Sequence, residues 1–568
     1  MSGAFDVIVI GAGAGGLTAA VVAAAEGLSV LLVEKSATLG GTTAVSGGMV
    51  WTPANALMRA AGQPDTLDAA RDYLAQLVHG DHNAAVREAF LTRADEAVQY
   101  LARHTEVQLQ PVKIYPDYYP DLHGATLGGR VLEPVPFDAR ALGRDFRLVR
   151  PPLPEFTIFG GMMVARPDLP HFRNVGRSLS STLRVAGLLT RHAVQRLSHP
   201  RGTSLVLGNA LVARFVATLL KQRVAIRTNA TVARLETRNG RIAGAVIDGE
   251  TIEARRGVVL ATGGFAHDAD LRPRLMPPQA ALSAINADNT GGGIRLGLDA
   301  GGSLGPVADG AGFWVPISRF TRPDGSTGLF PHTVTDRGKP GAIAVNRAGQ
   351  RFVNEALSYH EFVRAMLRQD NVGNGDSHAF LLCDSDFVWR YGLGAVRPMS
   401  LRLTPWIRSG YLHRAATFVG LAARIGVPSD ALRRTVADYN DAARRGEDPW
   451  FGKGTNAYQR HMGDAGHKPN PCVAPLEKPP FYAIELHPGD LGTSTGLVTD
   501  AEARVLDAGG APIAGLYSVG NDMNSVMNGA YPGPGITLGP AITFGYLAAR
   551  SLAGTNDTAT KETQDART

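Results

Sequence analysis

The stretch FDVIVIGAGAGGLTAAVVAAAEGLSVLLVE, residues 5–34, decides the fold of this chain. Phe5–Ile10 is a short apolar, β-branched run of the kind that is buried in a parallel sheet. A glycine-rich turn follows, then an alanine-rich helical pattern that Gly27 ends, and then a second apolar run, Ser29–Val33. Together these segments predict one βαβ unit of about 30 residues, the beginning of an α/β fold.

The turn of this unit has the pattern that a bound dinucleotide requires. Gly11, Gly13 and Gly16 form GxGxxG between strand and helix. The first glycine allows a tight turn, the second lets the backbone approach a pyrophosphate, and the third lets the helix pack on the strand. The helix N-terminus offers N–H groups to phosphate. Glu34, at the end of the second strand, can accept hydrogen bonds from ribose hydroxyls and disfavours a 2′-phosphate.

The composition is that of a globular protein and excludes several functions. The net charge of +6 is small for 568 residues, and no basic run is interleaved with aromatics as nucleic-acid binding would require. Cys383 and Cys472 provide neither a disulfide framework nor a metal set. The sequence shows no leader and no long uncharged apolar stretch, so we expect a soluble, cytoplasmic protein.

The order of segments predicts one nucleotide-binding domain with a second domain inserted into it. The first part of the nucleotide-binding domain is expected at 1–280, with a helical insertion at about 145–222, and its closing part at 481–554. The catalytic, substrate-binding domain is expected at 281–480. The polar residues 555–568 are expected to form a flexible tail.

The segment after Glu34 separates FAD from NAD. Lys35–Gly48 reads KSATLGGTTAVSGG, and this loop resembles that of the flavoproteins of the fumarate reductase and 3-ketosteroid dehydrogenase superfamily. Ala261–Gly264 (ATGG) and Gly515–Asn521 (GLYSVGN) resemble two later segments near the flavin. The resemblance spans residue 5 to about residue 553. It implies a Rossmann-type FAD-binding domain built from discontinuous segments, with an inserted α+β domain.

The resemblance also implies noncovalent FAD, since no histidine lies in the first flavin loop. No metal is expected, because no metal-ligand spacing in the sequence rises above chance. The residues it assigns to FAD are Gly11, Gly13, Gly16, Glu34, Lys35, Gly41, Thr42, Thr43, Gly48, Val232, Thr262, Gly263, Asn521 and Leu538.

Fumarate reductases resemble the chain at Gly341–Glu355 (GAIAVNRAGQRFVNE), but two other segments depart from them. Asn528–Gly535 (NGAYPGPG) stands where they carry an arginine, and Leu491–Gly496 (LGTSTG) lacks their histidine. A dicarboxylate would therefore lose its cationic partner, and fumarate or succinate chemistry is disfavoured.

The sequence instead resembles the 3-ketosteroid Δ1-dehydrogenases. Tyr531–Gly535 (YPGPG), Asp490–Asp500 (DLGTSTGLVTD) and Asn354–Met366 (NEALSYHEFVRAM) carry the resemblance, and Pro116–Pro120 and Gly312–Pro316 match more loosely. This family desaturates a cyclic ketone: a proton leaves the carbon next to the carbonyl, the α-carbon, and a hydride leaves the β-carbon for flavin N5.

The resemblance assigns catalytic roles to particular residues. The Tyr531 hydroxyl and the Gly535 N–H would hold the carbonyl oxygen as an oxyanion hole. Tyr359 would remove the α-proton as a phenolate, which needs a pKa below the ordinary value of about 10. Tyr118 or Tyr119 would assist by hydrogen bonding. Two side chains are expected outside the reaction itself, Phe313 in the pocket wall and His360 on the exposed side of its segment.

Several alternatives remain open from the sequence. The same desaturation could act on a smaller cyclohexanone-type ketone, or at the Δ4 bond of a 3-keto-5α-steroid. A non-catalytic, flavin-binding electron carrier is the alternative from a different class. Residues 145–210 are longer than in shorter steroid dehydrogenases, and the stretch Arg184–Arg201 could change substrate size or contact a membrane surface. The expected partners are a cyclic ketone or steroid and an unidentified electron acceptor, without nucleic acid.

Overall fold

A computed structural model describes residues 3–369 and 377–555. Of the tail expected at 555–568, all but Thr555 lies outside the described residues. The described helices are α1 (Ala14–Ala25), α2 (Ala56–Ala60), α3 (Leu67–Ala75), α4 (Ala84–His104), α5 (Leu169–Arg173), α6 (Leu179–Arg196), α7 (Leu207–Lys221), α8 (Leu271–Leu275), α9 (Gly292–Asp299), α10 (Tyr359–Arg368), α11 (Ser385–Tyr391), α12 (Thr404–Arg408), α13 (Phe418–Ile425), α14 (Ser429–Ala443), α15 (Ala457–Met462) and α16 (Leu538–Ala553).

The described strands form two large and two small sheets. They are β1 (Ala4–Ile10), β2 (Val30–Val33), β3 (Val50–Trp51), β4 (Leu109–Pro111), β5 (Val131–Pro134), β6 (Phe137–Asp138), β7 (Ser204–Leu205), β8 (Ala225–Arg227), β9 (Val232–Arg238), β10 (Arg241–Ile247), β11 (Glu250–Leu260), β12 (Leu282–Ser283), β13 (Gly312–Thr321), β14 (Thr327–Pro331), β15 (Ala342–Asn346), β16 (Ala379–Cys383), β17 (His413–Ala415), β18 (Phe481–Thr493), β19 (Arg504–Leu506) and β20 (Pro512–Ser518).

The first large sheet has the order β19-β20-β11-β1-β2-β8, and β9 and β10 extend from β11. Strand β1 lies parallel to both neighbours, with Ile8 opposite Leu31 of β2 and Val258 of β11. Strand β20 pairs in parallel with β11, although about 250 residues of chain separate the two strands. The predicted Rossmann-type sheet built from separated segments is therefore confirmed.

Two helices pack together on one face of this sheet. The α1 and α16 backbones approach closely at Gly15 and Gly545, where a Cβ on Gly545 would lie 2.5 Å from the Gly15 carbonyl oxygen. Leu17 of α1 and Phe544 of α16 are buried in the same apolar core. Because glycine permits this approach, the start of α16 lies beside the GxGxxG turn.

The second large sheet has the order β14-β13-β18-β16-β15, with β12 and β17 also paired to β18. Strand β18 runs antiparallel between β13 and β16, so Ile484 and Leu381 become buried together with Phe362 of α10. Since β18 belongs to this sheet, we propose that the inserted domain extends to Thr493, beyond the boundary expected at residue 480.

The segment expected as a helical insertion contains α5, α6 and α7, preceded by short 3₁₀ turns. Helix α7 is buried on nearly every face and contacts α1. Helix α6 buries few side chains, among them Val185, and exposes Leu179 and Leu183. Within the described part of the chain, no helix is both long and apolar enough to cross a bilayer.

Candidate active site

The GxGxxG turn has the shape that a phosphate group requires. Gly11 has φ of 102°, in the left-handed region that glycine tolerates, and a Cβ on Gly16 would lie 2.0 Å from the Gly11 carbonyl oxygen. A Cβ on Gly13 would instead meet nothing closer than Thr43 Oγ1, at 4.0 Å. The space above Gly13 is therefore open to a ligand, while Gly11 and Gly16 are fixed by packing.

Glu34 ends β2 directly beside this turn. Its two carboxylate oxygens accept hydrogen bonds from the backbone N–H groups of Ala12 and Ser36, each at 2.8 Å. Each oxygen keeps a second lone pair, so the carboxylate can hold the turn and also accept from ribose hydroxyls. Val232 begins β9 nearby, where the backbone N–H of Ala230 donates to the Glu34 carbonyl oxygen at 3.1 Å.

The loop Lys35–Gly48 folds over the turn. Thr43 Oγ1 accepts a hydrogen bond from the Ala14 N–H at 3.1 Å, and Thr42 Oγ1 accepts one from the Asn286 N–H at 3.2 Å. A Cβ on Gly41 would meet no atom within 4 Å, whereas one on Gly48 would lie 2.5 Å from the Gly208 nitrogen. The side of the loop at Gly41 is therefore open, while the Gly48 end is packed on α7. Farther out, Lys35 Nζ donates to Thr290 Oγ1 at 3.0 Å.

A buried acid that the sequence analysis missed joins the later segments of the site. Asp522 is completely buried, and its carboxylate accepts hydrogen bonds from Thr262 and from the Gly264 N–H. It thereby ties the ATGG turn to the 3₁₀ turn Gly520–Asp522, which carries Asn521. Gly263, with φ of 94°, packs against Asn289. No spacing motif marks Asp522, because its partners lie 260 residues away.

The donor groups of this region fit FAD. A cavity lies between the 520–526 segment and the start of α16, and its lining includes Phe313, Thr493, Asn521 and Thr537. Thr493 Oγ1 and Ser494 Oγ are buried without a hydrogen-bond partner among the described residues. Buried hydroxyls are rarely left unpaired, so these two are available to a polar flavin edge. Leu538 opens α16 at the same place.

Tyrosines from three distant parts of the chain meet beside this cavity. Tyr118 belongs to the loop after β4, Tyr359 is the first residue of α10, and Tyr531 precedes α16. The Tyr118 hydroxyl donates to that of Tyr359 at 3.0 Å, and the Tyr359 hydroxyl donates to that of Tyr531 at 2.8 Å. The rings of Tyr118 and Tyr531 stack at 5.6 Å, and Phe313 meets Tyr531 edge-on at 5.5 Å. The structure thus brings four sequence-predicted side chains together.

The YPGPG segment fixes the position of Tyr531. The Pro532 carbonyl oxygen accepts hydrogen bonds from the Tyr118 N–H at 3.0 Å and from the Tyr73 hydroxyl at 2.6 Å. Gly535 has φ of 94°, and a Cβ there would lie 2.6 Å from the Met49 carbonyl carbon. Only glycine fits that approach, so Gly535 is required by packing as well as by its expected catalytic role.

Burial dominates the ionisation of the tyrosine hydroxyls. It raises the pKa of Tyr531 to about 12 and the pKa of Tyr359 well above its ordinary value. The hydrogen bond from Tyr118 works in the other direction and lowers the pKa of Tyr359, but it does not outweigh burial. The lowered pKa that the sequence analysis required of Tyr359 is therefore not found in this structure.

Other neighbours of the cluster differ from the expectations. The Tyr119 hydroxyl donates to Glu361 Oε1 at 2.7 Å and not to Tyr359. Of the two neighbouring tyrosines, Tyr118 is therefore the one that contacts Tyr359. The expectation that His360 is exposed is wrong: its side chain is completely buried, 5.6 Å from the Tyr531 ring. Its Nδ1 accepts a hydrogen bond from the Trp314 N–H, and its Nε2 contacts Asp309 Oδ2 at 3.0 Å.

A fourth tyrosine also joins the cluster. The Tyr458 ring lies 4.8 Å from that of Tyr118, and its hydroxyl is buried without a hydrogen-bond partner among the described residues. The sequence analysis missed it because the surrounding residues of α15 match no motif.

Comparison with known proteins agrees with this geometry. Residues 6–538 match the family described as FAD binding domain. The 4-oxocyclohex-2-ene-1-carboxylate 5-dehydrogenase of Sinomonas cyclohexanicum is 39% identical over 97% of this chain and 94% of that protein. The 3-oxosteroid 1-dehydrogenase of Mycolicibacterium smegmatis is 35% identical over 97% of each.

A solved structure extends the comparison to the fold. It is the 3-ketosteroid Δ1-dehydrogenase of Sterolibacterium denitrificans in complex with 1,4-androstadiene-3,17-dione. The TM-score is 0.89 at 38% identity, over 97% of this chain and all of that one. The chain therefore belongs to the family of the 3-oxosteroid 1-dehydrogenases, shares their FAD binding domain, and is an FAD-dependent oxidoreductase.

Proposed function

We propose that this enzyme desaturates a cyclic ketone between its α- and β-carbons, with a 3-ketosteroid as first candidate and the Δ1 bond as the bond formed. The observation that carries the proposal is the hydroxyl chain from Tyr118 through Tyr359 to Tyr531 beside the cavity at Phe313. FAD, bound without a covalent link, would supply the hydride acceptor. The rest of the chemistry belongs to side chains of the protein.

The carbonyl oxygen of the ketone would bind at Tyr531. Because the pKa of Tyr531 is about 12, its hydroxyl stays protonated near neutral pH and can donate a hydrogen bond. It already accepts from Tyr359, so its own proton is free to point at the ketone. The Gly535 N–H would provide the second donor. Two donors at this oxygen stabilise the negative charge that develops when the α-proton leaves.

The α-proton would be removed by Tyr359. In the structure its hydroxyl donates to Tyr531, so that proton must first pass to solvent before the phenolate can act as the base. Tyr118 then stabilises the phenolate, because its hydroxyl donates to the Tyr359 oxygen. A base of high pKa is a strong one, and it is suited to a weakly acidic C–H bond once it is ionised.

A monocyclic ketone is the second candidate substrate. The Sinomonas cyclohexanicum relative, whose name specifies a 4-oxocyclohexene carboxylate, is 39% identical, and a second protein of that organism, 4-oxocyclohexanecarboxylate 2-dehydrogenase, is 37% identical. The steroid-named Mycolicibacterium relative is 35% identical. Both classes present the same ketone to the tyrosines, so the difference would arise farther out in the pocket. The Δ4 bond of a 3-keto-5α-steroid is a further alternative.

We also propose that residues 156–201, called here the apolar-basic surface, contact a membrane peripherally. Phe159, Leu179, Leu183 and Leu197 are all more than half exposed. The segment carries arginines at positions 166, 173, 177, 184, 191, 196 and 201 against one acidic residue, Asp168. Exposed apolar side chains among arginines are typical of a helix lying at an anionic lipid surface. A membrane could hold the apolar substrate close to the enzyme. The electron acceptor is unidentified.

Product analysis tests the proposal. The enzyme would be incubated with an artificial electron acceptor and, separately, androst-4-ene-3,17-dione, a 5α-reduced 3-ketosteroid, 4-oxocyclohexanecarboxylate and cyclohexanone. We expect at least one ketone to lose two hydrogens and gain a conjugated double bond next to the carbonyl. The position of that bond, read by NMR, separates Δ1 from Δ4 chemistry. The proposal would be contradicted if none of these ketones led to reduction of the electron acceptor.

A further inference from the structure

A buried arginine lies behind the tyrosine cluster. Arg337 is 3% exposed, between β14 and β15. Its guanidinium donates to four backbone carbonyl oxygens, those of His332 at 2.8 Å, Glu355 at 3.0 Å, Leu357 at 3.2 Å and Thr333 at 3.4 Å. Its charge is thus taken up by carbonyl dipoles, and among the described residues no carboxylate accepts from its guanidinium.

Asp336, the residue before Arg337, interacts with Arg337 electrostatically, but its carboxylate accepts from other groups. Asp336 Oδ2 contacts His332 Nδ1 at 2.7 Å and accepts from the Gly394 N–H at 3.0 Å. Asp336 Oδ1 accepts from the backbone N–H of Arg337 at 2.8 Å, not from its side chain. A buried cation without a hydrogen-bonded anion is costly. Asp336 supplies a negative charge near Arg337, but no carboxylate of the described residues accepts from the guanidinium, so the guanidinium can also stabilise a second anion that forms during the reaction.

The tyrosines can supply that anion. Burial lowers the pKa of Arg337, and Tyr458, Asp336, Tyr118 and Tyr359 act in the opposite direction, so Arg337 lies within electrostatic range of three tyrosine hydroxyls as well as of Asp336. Two of the four carbonyls that Arg337 binds belong to the chain just before Tyr359. Its guanidinium also lies 4.9 Å from the ring of Phe362, one turn farther along α10.

We propose that Arg337 is a positioning residue for proton removal: it fixes the segment that carries Tyr359, and its positive charge stabilises the Tyr359 phenolate. The inference rests on the proposed role of Tyr359 as the base. It accounts for how a phenolate can form at a site where burial opposes ionisation.

The groups facing Tyr359 come from several elements. Tyr118 comes from the loop after β4, Tyr531 from the segment before α16 and Tyr458 from α15, and all three are neutral near pH 7 because burial raises the pKa of each. Arg337 is the cation beside them, and Asp336, whose charge also acts on Arg337, is the anion. A cation favours the charged form of a phenol, so in this proposal Arg337 lets the Tyr359 base form at lower pH than it would without that charge.

Three variants separate charge from positioning. Arg337→Gln keeps hydrogen-bond donors and removes the charge, and Arg337→Lys keeps the charge and loses the planar fork. Ser358→Ala removes the cap of α10, where Ser358 Oγ accepts the Glu361 N–H at 3.3 Å, and leaves Arg337 intact. The measurement is the rate of flavin reduction by ketone in the FAD-loaded enzyme, followed from low to high pH.

We expect Arg337→Gln to raise the pH of half-maximal rate by about one unit or more. Arg337→Lys and Ser358→Ala should be slower than wild type with that pH nearly unchanged. An unchanged half-maximal pH in Arg337→Gln, with FAD bound and the fold intact, would overturn the inference. If the Gln variant does not fold, the Arg337→Lys variant is the test. A shift of a full unit in its half-maximal pH would overturn the inference, because that variant keeps the positive charge.

Failure of the proposed function looks different. In that case the wild-type protein itself would show no flavin reduction by any ketone, and no pH profile could be recorded. A pH-dependent wild-type rate with an unshifted Arg337→Gln profile would leave the proposed function standing and remove only the role of Arg337.

Discussion

The Tyr531 hydroxyl is the group on which ketone binding depends in this account. Tyr531→Phe removes the donor but keeps the ring that packs on Tyr118 and Phe313. Losing one oxyanion donor typically costs about 10²–10³ in rate. We therefore expect turnover to fall by that factor while FAD stays bound, as measured by steady-state kinetics and flavin absorbance. A variant that keeps more than about a third of the wild-type rate would show that the ketone oxygen binds elsewhere.

Tyr359 can be tested without hydride transfer. If it is the base, wild-type enzyme in deuterated solvent should exchange the α-hydrogens of a bound ketone, provided that proton removal is reversible. Tyr359→Phe removes the hydroxyl and keeps the aromatic contacts with Tyr118 and Tyr531. We expect exchange, followed by mass spectrometry, to stop in this variant. Once wild type is shown to exchange, equal exchange in the Phe variant would assign the base to another residue, with Tyr118 next.

Sequence motifs could predict which residues meet, but not how each side chain turns. YPGPG and NEALSY pointed to Tyr531 and Tyr359, whose hydroxyls lie 2.8 Å apart. Tyr118 and Tyr119 could not be separated, because neighbouring positions in a loop have no fixed periodicity. The structure turns Tyr119 to Glu361 instead. Arg337 and Tyr458 carry no motif, since their roles depend on contacts with residues distant in sequence.

Helix α6 is long, but only four of its 18 residues are buried. If the apolar-basic surface contacts lipid, Leu179→Ser with Leu183→Ser should weaken sedimentation with vesicles containing phosphatidylserine, because both side chains are largely exposed. Val419→Ser, at an apolar side chain about half exposed outside that surface, is the matched control. Catalysis with a dissolved ketone should be unaffected. Equal vesicle binding by the double variant and the control would argue against membrane contact through α6.

The elements that sequence patterns predict well are those with local causes. The βαβ unit follows from apolar strands, glycine spacing and an alanine-rich helix. Strands β1 and β2 lie within one residue of the predicted runs, whereas α1 begins at Ala14, inside the glycine-rich turn. Strand β18 shows the limit of such patterns, because an apolar run does not reveal its partner strands. Its pairing with β13 and β16 is set by contacts across more than 90 residues.

At the scale of the whole molecule, the cofactor holds distant segments together. Residues expected to bind FAD come from the first 50 residues, from Val232 in β9, from the 262–263 turn, from Asn521 and from Leu538 at the start of α16. We expect noncovalent FAD, so heat denaturation should release free FAD that chromatography identifies. FAD should also raise the unfolding temperature, because a ligand that binds only the folded state stabilises it. Flavin that remains with the denatured polypeptide, or FMN in place of FAD, would contradict this.

Anaerobic mixing of the FAD-loaded enzyme with a cyclic ketone shows whether the enzyme oxidises the ketone through Tyr359, because it needs neither an electron acceptor nor a product assay. The ketones are androst-4-ene-3,17-dione and 4-oxocyclohexanecarboxylate, and the comparison is wild type against Tyr359→Phe. We expect at least one ketone to bleach the oxidised flavin absorbance of wild type, and the variant, with the same FAD content, to bleach far more slowly. Flavin that stays oxidised in wild type with both ketones, or that bleaches equally fast in the variant, would contradict this mechanism.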